Sequence, residues 1–218
     1  MIIDCISDLH GAFPQLDGGD LLIVAGDLTA CDTFKEQGVF AGWLSMQNYT
    51  KKIFISGNHD NTLLGIKPYD FVSDNISYLC DTGTEFEGLK IWGSPWSLWF
   101  HGINPHCKAF TGKEKDLQKK WRIIPADTDI LISHSPPYGI LDSITPRLCE
   151  IGDLNVGSVS LRNLVTSVGM LPNLKLHVFG HIHEHGGKMV DTCIVKFVNA
   201  SIMNEYYEPV NKPVRVII

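Results

Sequence analysis

The sequence lacks several things, and each absence removes a class of explanation. Its six cysteines, at 5, 31, 80, 107, 149 and 193, form no CxxC pair and no dense framework of the kind that staples small secreted domains. No run approaches the roughly eighteen consecutive apolar residues of a membrane-spanning helix, so no membrane partner is expected. The chain opens with strand-like residues, "MIIDCISDLH", without the basic and apolar regions of a secretory leader. Taken together, these absences point to reduced, mostly buried cysteines in a reducing, cytoplasmic compartment. Zinc binding by the cysteines is the rival idea, and their spacing opposes it. There is no basic run either. A formal charge of −6 leaves no general basic face for extended nucleic acid or an anionic membrane. A phosphate-bearing substrate would need local positive charge, and bound cations would supply it. No repeat, low-complexity segment or linker interrupts the 218 residues, which suffice to bury a real core. The economical expectation is one domain over residues 1–218, with oligomeric state left open.

What is present is a series of short apolar runs, each ending in a polar cluster. "MIIDCIS" stops at "DLH", "DLLIVA" at "GDL", "KKIFIS" at "GNHD", "TDILIS" at "HSPP" and "LKLHVF" at "GHIH". Runs of this length, rich in Ile, Leu and Val, read as buried strands. Helical patterns lie between some of them. In "SVSLRNLVTSVGM" the residues Leu161, Leu164, Val165 and Val168 recur at helical spacing, with Ser158 or Ser160 as N-cap. "TFKEQGVFAGWLSMQNY" is a weaker helix because of Gly38 and Gly42, and "KEKDLQKKW" is a lysine-rich one. Alternating strands and helices argue for an α/β fold with covered sheet faces. Later, "LKIWG", "KMVDT" and "CIVKFVNAS" read as strands joined by turns alone, which suggests a mixed sheet or two packed sheets. The tail "NKPVRVII" ends in a strand-like run suited to closing a sheet or pairing with a partner's edge.

Five of these strand ends carry polar residues of one chemical kind: Asp8 and His10; Asp27; Asn58, His59 and Asp60; His134; and His181 with His183. Sites in α/β sheets form at the carboxyl ends of strands. Asp8/His10 and His181/His183 are each two residues apart, so in extended chain each pair faces one way. Carboxylate plus imidazole suits Mn, Fe, Zn or related divalent ions. Alone, "DLH" or "GDL" is a turn or a cap. Jointly, Asp8, His10, Asp27, Asn58, His134, His181 and His183 exceed the four ligands of one ordinary site, and one bridging carboxylate lets them serve two ions.

D-x-H, G-D, G-N-H-D, H and G-H-x-H, in that order from residue 8 to residue 183, resemble the calcineurin-like metallophosphoesterase superfamily. That resemblance implies two packed mixed β-sheets flanked by helices, a four-layer α/β sandwich. It implies two divalent ions, with Mn the first expectation and Fe, Zn, Co or Ni as alternatives. One ion would take Asp8, His10, Asp27 and His183; the other would take Asp27, Asn58, His134 and His181. Ions roughly 3.5–4 Å apart activate a shared water and polarise a phosphoryl oxygen, so a bridging hydroxide would attack phosphorus. The resemblance makes His59 the proton donor to the leaving group or a clamp on the transition state, with Asp60 orienting and charging its imidazole.

Absences again narrow the substrate. The superfamily's protein phosphatases carry arginines where this chain reads "GDLTACD" and "GNHDNT", and its purple acid phosphatases have a tyrosine where Ala30 stands. Doubly charged monoesters call for such arginines more than diesters do, although Lys108, Lys113 and Arg147 are candidate cations. "IWGSPWSLWF", "SHSPPYG", "VFGHIHEHGG" and "NASIMNEYYEPVNKPV" are similar to small metallophosphodiesterases of the brain-type subfamily and their microbial relatives. That similarity implies a small phosphodiester substrate such as a cyclic nucleotide. A monoesterase, a nuclease or a non-catalytic docking protein on the same fold is the alternative, and the complete ligand set favours the enzyme. In "SLWFHGINPHCKAF", Trp96 just before it, Trp99, Phe100 and Phe110 could stack a base, with packing as the plainer role. His101, His106, His177 and His185 are not expected as ligands, Glu184 is at most a neighbour of the site, and Trp92 and Trp121 are expected in the core. The cysteines have no expected part in the chemistry.

Overall fold

A computed structural model describes residues 1–65, 73–100, 106–145 and 154–218. The chain begins with strands β1 (Ile2–Ile6) and β2 (Gly19–Ala25), helix α1 (Phe34–Met46), and strands β3 (Tyr49–Ile55) and β4 (Ile76–Tyr78). Next come β5 (Thr82–Phe86), β6 (Leu89–Ser94), β7 (Ser97–Leu98), β8 (Thr111–Gly112) and helix α2 (Glu114–Trp121). The remainder is β9 (Ile130–Ser133), α3 (Val159–Thr166), β10 (Leu176–Phe179), β11 (Lys188–Asp191), β12 (Lys196–Asn199) and β13 (Val214–Ile217).

Two large mixed sheets result, in the orders β13-β1-β2-β3-β4 and β11-β12-β10-β9-β6-β5. β1, β2 and β3 run parallel, with Cys5 opposite Ile23 and Ile23 opposite Ile53. β6, β9, β10 and β12 also run parallel to one another. The period-two alternation of strands explains the layering. Ile3, Cys5, Leu21, Ile23, Ile53 and Ile55 of the first sheet meet Ile91, Ile130, Ile132, Leu176, Val178 and Val198 of the second in one buried cluster. The opposite face of the first sheet, with Leu22, Val24 and Phe54, packs on Phe40 and Leu44 of α1. The outer face of the second, with Leu131, Phe179 and Phe197, packs on Leu117 and Trp121 of α2 and Leu161, Leu164 and Val165 of α3. The order is helix, sheet, sheet, helices, the four layers that the resemblance implies.

Local chemistry explains where the helices start. Thr33 caps α1 by accepting from the Glu36 N–H while Glu36 reaches back to the Thr33 N–H, a reciprocal pair that satisfies two otherwise orphaned donors. Ser158, not Ser160, caps α3, accepting from the Leu161 N–H. That helix ends at Thr166, so Val168 leaves the apolar stripe and is fully exposed. The tail closes a sheet: β13 pairs antiparallel with β1, and Arg215 grips Asp4 through two 2.8 Å hydrogen bonds. Trp121 is buried, whereas Trp92 packs half-buried against the same layer. The expectation of mostly buried cysteines fails. Cys5 is buried, Cys80 and Cys107 are half-buried, and Cys31 and Cys193 are exposed; Cys149 lies outside the described residues. Among the described residues, no helix is long and apolar enough to cross a membrane.

Candidate metal centre

The parallel strands of both sheets deliver their carboxyl ends to one rim of the sandwich. Asp8 and His10 follow β1, Asp27 follows β2, and Asn58, His59 and Asp60 follow β3. His134 follows β9, and His181 and His183 follow β10. The chain does not arrive there extended. Asp8 (φ 53°), His10 (φ 41°), Asp27 (φ 54°) and His181 (φ 69°) all occupy the left-handed region. That corrects the expectation that each two-residue pair converges by strand alternation. The pairs converge because the backbone turns sharply, at a conformational cost that clusters at functional sites.

Asp27 stands at the middle. Its Oδ2 lies 3.3 Å from His134 Nε2, 3.8 Å from His10 Nε2 and 3.9 Å from His59 Nε2. His183 Nε2 is 3.5 Å from Asp8 Oδ1, and His134 Nε2 is 3.0 Å from Asn58 Oδ1. Three overlapping groups have ligand atoms within 4.8 Å of one another: Asp8, His10 and His183; His10, Asp27 and His59; and Asp8, Asp27 and His134. Both carboxylates are therefore shared, which is the arrangement two ions need. His181 joins differently. Its backbone N–H donates to both oxygens of Asp8 at 3.0 Å, and its ring lies 5.0 Å from that of His134.

Electrostatics sets the protonation. Burial opposes charge on Asp8 and Asp27, but His183 beside the first and His134 beside the second hold both well below the usual carboxylate range. Burial pushes His10 down to about 4 and His181 down to about 3, so both present neutral imidazoles. His134 goes the other way, to about 9, because Asp27 outweighs its desolvation. His134 Nδ1 donates to the Ala25 carbonyl (2.9 Å) and His183 Nδ1 to the Asn204 carbonyl (3.2 Å). Each bond directs the other nitrogen, Nε2, into the cluster, as carbonyl-anchored metal histidines do. His134 Nε2 then faces Asn58 Oδ1, and a cation shared between them, proton or metal, reconciles the two lone pairs. His10 Nε2 is buried with no hydrogen-bond partner. An unpartnered imidazole nitrogen beside two ionised carboxylates fits a divalent ion.

Two glycines make room for this. A Cβ on Gly57 would sit 2.2 Å from Asp27 Oδ1 and 2.7 Å from the His134 ring. One on Gly180 would sit 2.2 Å from Asp8 Oδ2. These two motif glycines are there for space, not for flexibility.

Asp60 does not hold the His59 imidazole as expected. Its carboxylate accepts from the backbone N–H groups of Gly57 (2.7 Å), Asp27 (3.0 Å) and Leu28 (3.0 Å), tying the β2 and β3 loops together. Burial and the Asp27 charge raise it to about 8, against three donors that favour the ionised form. The partner of His59 Nδ1 is Cys107, whose Sγ is 3.3 Å away. Sequence reasoning missed this contact, and also Tyr207, whose ring lies 4.8 Å from that of His183 and 5.0 Å from that of His10. Neither belongs to a strand-end motif, so no local signal marks them.

The remaining aromatics divide. Phe100 stacks on His181 with centroids 6.4 Å apart, and Trp99 is partly exposed. Phe110 is buried, and Trp96 is engaged by Asp81 and Lys120. His177 is buried on Ser133, His185 meets Ser143, and Glu184 accepts from the Thr145 N–H; none joins the cluster. His106 is exposed, while His101 and Arg147 lie outside the described residues.

Comparison with known proteins agrees with this geometry. The family profile of calcineurin-like phosphoesterases, Metallophos, matches residues 1–185. The chain belongs to that family, metallophosphoesterase-superfamily hydrolases with a binuclear metal centre. Metallophosphoesterase domain-containing protein 1 of Homo sapiens is 34% identical over 236 residues, covering 96% of this chain and 68% of that protein. A UPF0046 protein of Caenorhabditis elegans is 31% identical over 236 residues, covering 94% of this chain and 78% of its own length. The crystal structure of TT1561 of Thermus thermophilus shares the fold, with a TM-score of 0.61 at 15% identity over 91% of this chain and 88% of that one.

Proposed function

We propose that the chain is a two-metal phosphodiesterase that hydrolyses small phosphodiesters, cyclic nucleotides among them, with Mn²⁺ as the working ion. The observation that carries the reading is the central position of Asp27, one buried carboxylate oxygen within 3.3–3.9 Å of three imidazole nitrogens. Asp8, His10, Asp27 and His183 hold one ion, and Asp27, Asn58, His134 and His181 hold the other. When bound, such ions supply Lewis acidity and an activated water.

The protein's own groups do the rest. Asp8 and Asp27 stay ionised, so the rim attracts cations and is not a ready site for phosphate without them. Ala25 and Asn204 fix two imidazoles in the metal-binding tautomer. His59, outside the proposed ligand set, donates a hydrogen bond from Nε2 to the departing oxygen. Preference for a diester rests on the arginines. The chain has four. Of the described ones, Arg162 donates to the Tyr138 carbonyl, Arg215 grips Asp4, and Arg122 lines a groove between α2 and α3. None of these is paired with the cluster, so a dianionic monoester finds little bidentate recognition.

The test is hydrolysis of a bis-aryl phosphate and the matching monoester, metal-free and after Mn²⁺ addition, with His59→Ala alongside. Metal-dependent turnover favouring the diester is expected, and His59→Ala keeps both ions while losing roughly 10²–10⁴-fold in kcat. A monoester preference removes the diesterase reading. Loss of metal in His59→Ala makes that residue a ligand.

A further inference from the structure

The approach of Cys107 to His59 is built by the backbone around it. The Ala109 N–H donates to the Asn58 carbonyl (3.2 Å), and the Asn61 side-chain amide donates to the His106 carbonyl (3.3 Å). Farther out, β7 and β8 close the same segment, with the Ser97 N–H on the Phe110 carbonyl and the Trp99 N–H on the Gly112 carbonyl. Four hydrogen bonds that do not involve the thiol therefore carry it to the imidazole. Among the described residues, Cys107 is the hydrogen-bond partner of His59 Nδ1.

The direction of that bond follows from its surroundings. On the far side of the ring, Nε2 faces Asp27 Oδ2 at 3.9 Å, and an N–H is far better placed before an anionic oxygen than a lone pair is. On the near side, burial and the charges of Asp27 and Asp32 raise the Cys107 thiol, so the sulfur keeps its proton.

We infer that Cys107 is a positioning residue: its S–H donates to His59 Nδ1 and holds the imidazole proton on Nε2, the nitrogen that faces Asp27. This rests on the reading of His59 as the hydrogen-bond donor to the leaving oxygen. A thiol in this place holds the ring as a carboxylate would, but it donates to Nδ1 where a carboxylate accepts from it, and it adds no negative charge. No further anion is placed beside Asp27.

Two readouts test it. The first is a double-mutant cycle on the Mn²⁺-loaded enzyme with two bis-aryl phosphates, one releasing phenolate and one 4-nitrophenolate. Cys107→Ala is expected to lower kcat about tenfold on the phenolate-releasing diester and less on the other, with KM within about twofold. Cys107→Ser restores most of the loss. In a His59→Ala background, Cys107→Ala costs nothing further. An equal fall in both backgrounds overturns the inference, as does loss of metal content in step with kcat.

The second readout needs no turnover. Nitrogen chemical shifts of the His59 ring in the Zn²⁺-loaded full chain report where the proton sits. The native protein is expected to show the Nε2–H form, and Cys107→Ala a mixture of the two tautomers. An unchanged tautomer in Cys107→Ala overturns the inference. Native enzyme without diesterase turnover overturns the proposed function instead, and the shifts still decide for or against Cys107.

Discussion

The two sheets contribute unequally to the rim they share. The first supplies both carboxylates, Asp8 and Asp27, together with His10, Asn58 and His59; the second supplies imidazoles alone, His134, His181 and His183. All of the cluster's negative charge therefore belongs to one layer, while the other offers groups that are neutral when they bind metal. Hydrogen bonds cross between the layers, from His134 Nδ1 to the Ala25 carbonyl and from the His181 N–H to Asp8. A centre that must hold cations but release an anionic product gains from this division. The charge that anchors the ions is concentrated, and the remaining ligands do not repel the substrate.

The largest test of this asymmetry is to remove a ligand from each side. Asp27→Asn is expected to strip the centre of both ions and to cost at least about a thousandfold in turnover. His181→Ala is expected to lose one ion and keep the other. Metal content per chain, measured on both variants, checks this, and equal losses would break the comparison.

A methyl group can be placed on either side as well. Gly57→Ala crowds Asp27 and the His134 ring, whereas Gly180→Ala crowds Ser7 and Asp8. Each is expected to destabilise the metal-free fold by about 1–3 kcal/mol, the usual cost of overpacking. Gly57→Ala should also displace the Asp27 carboxylate, so its metal affinity is expected to fall further. Thermal unfolding with and without a chelator separates the two effects.

A smaller effect concerns a second-sheet histidine that lies outside the cluster. His177, within β10, is held by burial down to about 3 and is uncharged in the fold. Unfolded, it binds a proton near pH 6.5. Between those values the unfolded state holds more protons, so stability is intact above about pH 6.5 and is lost as pH falls, by about 1.4 kcal/mol per unit. In His177→Gln that slope should flatten by the same amount when denaturant midpoints are followed from pH 7 to pH 5.

Much of this was readable beforehand, for a physical reason. A buried strand must be apolar and its site-forming end must be polar, so "LLIVAGD" and "HVFGHIH" announce both strand and ligand. Runs that alternate with helices gave an α/β fold with covered sheet faces, and the four layers came from the family resemblance. What escaped reading were properties of the turns. Left-handed backbone at Asp8, His10 and His181 leaves no pattern in a linear string. Asp60, adjacent to His59 in sequence, looked like its natural partner, yet the amides of the β2 loop and of Gly57 capture it. Cys107 is forty-eight positions from His59, in a segment with no periodicity to place it. Val168 fits the helical spacing, but the chain leaves the helix before reaching it.

The capture of Asp60 by three main-chain amides has a consequence for how such a rim changes over time. A side chain that bonds only to backbone recognises the path of its neighbours and is indifferent to what they display. Leu28 can be exchanged for any residue but proline without losing the N–H that Asp60 accepts from, whereas Gly57 is held by space and Asp27 by its place in the cluster. The scaffold of this centre is thus fixed partly by the path of the main chain, and the freedom that path leaves falls at Leu28, not at Gly57 or Asp27.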